Sequence, residues 1–137
     1  MRKFLAHAAL LIVAVAEAPS HAAQSSIAAS LRVTVDGVTG AGGTLRIGLY
    51  DEATFPAIAD AALFKQQVAR ASGTAAVTFD RLPPGSYAVK VLQDVNNNGK
   101  ADPGEPLGIS NAAGPGNFDA AAIQLQPGAN MAVIHLR

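Results

Sequence analysis

The strongest constraint on the fold of this chain is a period of two in its apolar residues, repeated in short runs. Leu31, Val33 and Val35 alternate with Arg32, Thr34 and Asp36, and Leu45, Ile47 and Leu49 alternate with Arg46, Gly48 and Tyr50. Successive side chains of a strand point to opposite faces, so each run predicts a strand with one buried face. Ala75, Val77 and Phe79 repeat the pattern, as do Tyr87, Val89 and Val91, then Ala121, Ile123 and Leu125, then Ile134 and Leu136. Turn formers separate the runs. Gly40-Ala41-Gly42-Gly43 joins the first two, which predicts a hairpin. In Leu82-Pro83-Pro84-Gly85, Pro84 sets φ at the first corner of a type II turn and Gly85 supplies the positive φ of the second. Residues 55–70 are ambiguous. Pro56 and the alanines at 57, 59, 61 and 62 suit a helical turn; residues 64–70 either extend it or form a strand paired through Ser72-Gly73 with the next run. We take a turn of helix followed by an edge strand. The expectation is an all-β, antiparallel β-sandwich of about seven strands with at most one short helical turn.

A length of 137 residues suits one domain, and half of them are apolar, enough for a packed core. Ten acidic against ten basic residues argue against a nucleic-acid binder. The absence of Cys removes disulfides, Cys-ligated zinc, thiol nucleophiles and a lipidated Cys. Arg2 and Lys3 precede an apolar run over residues 4–16 broken only by His7, and Ser20-His21-Ala22 fits a small-x-small cleavage pattern before Ala23. A cut after Ala16 is the alternative. Thirteen residues make a helix of about 20 Å, short of the roughly 30 Å hydrocarbon core of a bilayer. Residues 1–22 therefore read as a cleaved signal peptide, 23–30 as a short polar linker and 31–137 as a single domain. The product is expected to be periplasmic or secreted, with no membrane span after leader removal, and a monomer. Two of the three histidines leave with the leader. His135 remains, flanked by Ile134 and Leu136 and so expected on the outer face of a strand.

One stretch stands out from the turns: Asp94-Val95-Asn96-Asn97-Asn98-Gly99-Lys100-Ala101-Asp102-Pro103-Gly104-Glu105. It satisfies D-x-[DN]-x-[DN]-G-x5-E at every fixed position, the pattern of a Ca²⁺ loop. The ion takes about six to eight oxygens, and alternating side chains of a coiled loop converge on one point. In that scheme Asp94, Asn96 and Asn98 give side-chain oxygens and Gly99 permits the bend. Lys100 gives its backbone carbonyl, Asp102 binds directly or through water, and Glu105 closes the shell. The competing reading is an Asx-rich connector whose side chains bond nearby backbone. We favour structural Ca²⁺. Pro103, Gly104 and Pro106 forbid an exiting helix, so the loop is expected to staple rather than to switch.

The segment Phe79-Asp80-Arg81-Leu82-Pro83-Pro84-Gly85-Ser86-Tyr87-Ala88-Val89, the run from Asp94 to Lys100, and Leu107-Gly108-Ile109 with Ser110-Asn111-Ala112 resemble the exported bacterial family called domain of unknown function 2141. Leu49-Tyr50-Asp51 and Phe55-Pro56 fit the same pattern, so the resemblance covers residues 31–137. The Leu-Pro-Pro-Gly-x-Tyr piece is shared with transthyretin-like, carboxypeptidase-regulatory-like and adhesin B-type domains, which implies an immunoglobulin-like or prealbumin-like sandwich. Two departures stand out. Residues 109–118 are short for the family, and Gln93 stands where His is common, so no metal or proton role is inherited there. The family supplies no activity.

A non-enzymatic exported sandwich, a binding or envelope scaffold module with an unknown protein or small-ligand partner, is the first expectation. A transthyretin-like hydrolase needs several His, and only His135 is left in the mature chain. A carbohydrate module favours exposed aromatics; Tyr87 is expected in the core, which leaves Tyr50 as the exposed candidate. Asp102 and Glu105 as an acid–base pair are better spent on metal. A lysine–asparagine cross-link is disfavoured because Arg32 and Arg46, not Lys, stand in the first strands.

Overall fold

A computed structural model of the chain describes residues 27–56, 62–69 and 72–137. Alternation becomes strand at the runs where it was read, except that Ala121 ends a helical turn and Leu136 lies just past the last strand. The strands are β1 (Ala29–Val38), β2 (Thr44–Tyr50), β3 (Phe64–Ala69), β4 (Gly73–Leu82), β5 (Gly85–Asp94), β6 (Leu107–Ile109), β7 (Ile123–Leu125) and β8 (Gly128–His135). They form a smaller sheet, β4-β1-β8, and a larger one, β3-β2-β5-β6, to which β7 adds by pairing with β5. Leu31, Val33 and Val35 of β1 meet Leu45, Ile47 and Leu49 of β2, Val89 and Val91 of β5, Leu125 and Ile134 in one buried cluster. Burying a Val, Leu or Ile side chain stabilises by about 1.5–3 kcal/mol. An all-β sandwich is therefore the fold.

The expected hairpin between β1 and β2 does not form. β1 pairs antiparallel with β4 and parallel with β8, whereas β2 pairs with β3 and β5. Both strands turn an apolar face to the same core from opposite sheets, so residues 39–43 make an arch between layers. Gln93, 1% exposed, holds that arch. Its Oε1 accepts from Thr39 N and Oγ1 at 2.9 and 3.1 Å, and its Nε2 donates to the carbonyls of Thr39 and Gly42, each at 3.0 Å. The β4–β5 connection likewise changes sheets: Gly85 takes φ 152° and the Tyr87 hydroxyl closes the corner on Pro83 O at 2.7 Å. The parallel β1–β8 pair, in register from Ala29↔Gly128 to Asp36↔His135, departs from a purely antiparallel sandwich.

Other boundaries shift. β1 starts at Ala29, inside the segment read as a linker. Residues 64–69 are the expected edge strand, paired with β2 rather than with β4. The helical turn expected before them falls mostly on residues 57–61, outside the described residues. Described helical turns occur instead at Ser110–Ala112, a 3-10 turn, and in α1 (Phe118–Ala121), where Asn117 Oδ1 caps Ala120 N at 3.1 Å. Between β5 and β7 the chain thus forms β6 and both turns.

Those turns build a second cluster on the outer face of the larger sheet, comprising Tyr50, Phe55, Ala88, Ile109 and Ala121. Thr54 donates its N–H and hydroxyl to Asp51 Oδ1 at 2.9 and 2.8 Å, which tucks Phe55 inward. Phe55 meets Tyr50 and Phe118 edge-on, with ring centroids 6.4 and 5.6 Å apart. Tyr50, expected to be exposed, is only 2% exposed because this cluster covers it. Tyr87 is in the core, as expected.

Candidate functional site

The residues of β2 and β5 on the opposite phase to the core point to the outer side of the larger sheet. Between the second cluster and the loop 94–105 they form the floor of a groove of about 300 Å³. Strand pairing orders that floor in two rows across the sheet. One row is Gln67, Arg46, Leu92 and Leu107; the next is Lys65, Gly48, Lys90 and Ile109. Tyr50, Gly99, Ala101 and Pro115 also line the groove. Gly48 keeps the second row low. A Cβ there would come within 2.9 Å of Ala62 Cβ and of the Tyr50 ring.

Two cations on this floor are fixed by opposite means. The Lys90 ammonium donates to Phe55 O and lies 4.2 Å from the Phe55 ring centroid and 4.8 Å from that of Tyr50. Ring faces attract the cation, while burial pushes the Lys90 pKa below the ordinary lysine value. Arg46 instead meets a carboxylate: its Nε donates to Asp94 Oδ2 at 2.6 Å. The Asp94 side chain is 0% exposed and that of Arg46 is 26% exposed. Burial raises the Asp94 pKa, but hydrogen bonds from Arg46, Gly99 N and Asn98 N, with the Arg46 charge, bring it below the usual value.

Asp94 is also the root of the loop. Its Oδ1 accepts from Asn98 N at 3.1 Å and its Oδ2 from Gly99 N at 2.8 Å. Asn97 and Gly99 take φ 58° and 79°, which coils the chain tightly enough for these bonds. Asn96 and Asn98 both point their amide nitrogens at Asp102 Oδ2. Their oxygens accept from Asn98 N at 3.1 Å and Lys100 N at 2.9 Å. Glu105 reaches back to Val95 N at 2.8 Å and Asp102 N at 3.0 Å, as an anchor for the loop's exit. Thr44 ties the loop to β2 through Asn97 Oδ1 at 2.7 Å.

The spacing therefore does bring Asn96, Asn98 and Asp102 together, beside a loop rooted on Asp94. It turns Glu105 toward backbone N–H groups, and for Lys100 the bond made is from its N–H. Each carboxylate is satisfied by the loop's own donors, and the cation beside Asp94 is Arg46. Among the described residues no group of three or more His, Cys, Asp or Glu side chains is placed to hold a metal ion. His135 lies on the outer face, with Nδ1 3.6 Å from Asp36 Oδ2. Sequence reasoning missed Arg46, Gly48 and Lys90 as site residues. The signal available was the polar phase of β2 and β5, where two cations flank a glycine.

The family model described as "Uncharacterized protein conserved in bacteria (DUF2141)" matches residues 33–133. No curated protein and no solved structure matches the chain.

Proposed function

We propose that this chain, which belongs to the DUF2141 family of bacterial proteins, is an exported, non-enzymatic β-sandwich that binds a small ligand in the groove on the outer face of its larger sheet. The groove itself carries the reading: it is concave, mostly apolar and set with a few fixed polar groups, the usual form of a small-molecule site. Residues 94–105 act as a clasp for it, since Gly99 and Ala101 line the groove and Asp94 orients Arg46. The non-enzymatic part is supported by the setting of His135, whose Nδ1 faces the Asp36 carboxylate on an exposed surface rather than a nucleophile. Export is supported by the basic and apolar leader. Protein recovered from the periplasm should begin at Ala23; recovery with Met1 intact would overturn export.

Titration of isotope-labelled protein with n-octanol tests the binding reading. The amides of Arg46, Lys90, Leu92 and Leu107 should shift saturably, and an unsaturable or scattered response would remove it.

A second reading, Ca²⁺ in the clasp, is favoured by the convergence of Asn96 and Asn98 on Asp102. Rotating the two amides would present oxygens in place of nitrogens, with Asp94 shared between the ion and Arg46. That competition predicts affinity in the millimolar range of extracellular modules. Calcium at one hundred times Kd should then raise stability over EDTA by about 2.7 kcal/mol. Identical melts in about 100 mM calcium and in EDTA at matched ionic strength would leave a clasp closed by its own hydrogen bonds.

A further inference from the structure

Resting on the binding reading above, we infer the ligand class of the groove: a small amphipathic carboxylate, its head on Arg46 and its body along Leu92, Leu107 and Ile109. Asp94 Oδ2 takes the Arg46 Nε–H, which fixes the plane of the guanidinium and leaves its two terminal amino groups for another acceptor. Asp94 is the one acceptor that the Arg46 side chain meets among the described residues. A planar carboxylate matches that fork in a bidentate way.

Charge agrees with geometry. The described lining contains Arg46, Lys65 and Lys90 and no acidic residue, although the whole chain has as many acidic as basic residues. Among the described residues, these three cations outnumber the one carboxylate set against them, that of Asp94 on Arg46, and the excess favours an anion over a cation. Apolar walls select further. Leu92, Leu107 and Ile109 lie beside the cations in the same two rows, so an alkyl or aryl body is covered while the head stays on the guanidinium. A volume of about 300 Å³ is at the small end of ligand sites.

The experiment compares octanoate, n-octanol and octylamine by amide-shift titration of the full mature chain. Octanoate should bind about tenfold more tightly than octanol, the expectation for one added charge-assisted hydrogen bond. Octylamine should bind more weakly than octanol. Arg46→Lys keeps a cation for Asp94 but loses the fork; it should weaken octanoate about tenfold more than it weakens octanol. Lys65→Glu, on an exposed edge strand, should weaken octanoate and strengthen octylamine without touching the Asp94 pair. Octanol as tight as octanoate, or a preference for octylamine, would overturn the ligand class and leave the binding reading standing. No saturable shift with any of the three would overturn both.

Discussion

Asp94→Ala is expected to lower the free energy of unfolding by about 3 kcal/mol, the lower end of the range for breaking one side of a buried ion pair. The lower end applies because Arg46, at 26% side-chain exposure, can turn to water once its partner is gone. The N–H groups of Asn98 and Gly99 cannot all do so without uncoiling the loop. Asp94→Asn keeps one acceptor oxygen and should cost less than half as much. Urea unfolding monitored by tryptophan-free signals such as far-ultraviolet dichroism reads both, and an unchanged midpoint for Asp94→Ala would show that the pair does not form. The same carboxylate sets an acid limit. Its folded pKa is below the unfolded value of about 3.9, so the unfolded chain binds more protons between the two. Its contribution is complete above the unfolded pKa and is lost as pH falls through the folded one. Asp51 shifts in the same direction through its hydrogen bonds from Thr54. Wild-type protein should therefore lose stability more steeply below pH about 4 than Asp94→Ala does.

Gly43→Ala should destabilise by about 3 kcal/mol or more, because both backbone strain and overpacking act there. Gly43 takes φ 81°, and a Cβ would stand 2.2 Å from Asp94 O and 2.5 Å from Val95 Cα. These are backbone atoms at the root of the clasp, so no side-chain rotation relieves the overlap. Gly42 is the internal control: its φ is 80°, but nothing lies within 4 Å of the corresponding Cβ. Gly42→Ala should cost only the left-handed strain, about 1–2 kcal/mol. Equal midpoints for the two variants in thermal unfolding would contradict the close packing of the arch on Asp94. The two substitutions probe one joint, since Gln93, Asp94 and Gly43 meet where the arch crosses the start of the loop.

Most strands were legible because one buried face imposes alternation on the residues themselves. β6 was not: Leu107-Gly108-Ile109 is too short to show a period, and it is a strand because β5 offers it an edge. Tyr50 was misplaced for a related reason. It lies on the polar phase of β2, and only the packing of Phe55 and Phe118 on that face makes it a core residue. Of the candidate site, the Asx chemistry of residues 94–105 was legible as a tightly coiled loop. That Arg46 would be the cation against Asp94 was not, because the two are 48 residues apart.

From the amino-acid order alone follow the all-β class, the alternating faces of most strands, the family resemblance and an acid–amide loop at 94–105. Tertiary structure decided which sheet each strand joins, that 39–43 is an arch, and that the polar faces of β2 and β5 become the floor of a groove. Periodicity is a local property, encoded within five or six residues. Pairings such as Gln93 with Thr39, 54 positions apart, exist only once two sheets are stacked over a common core.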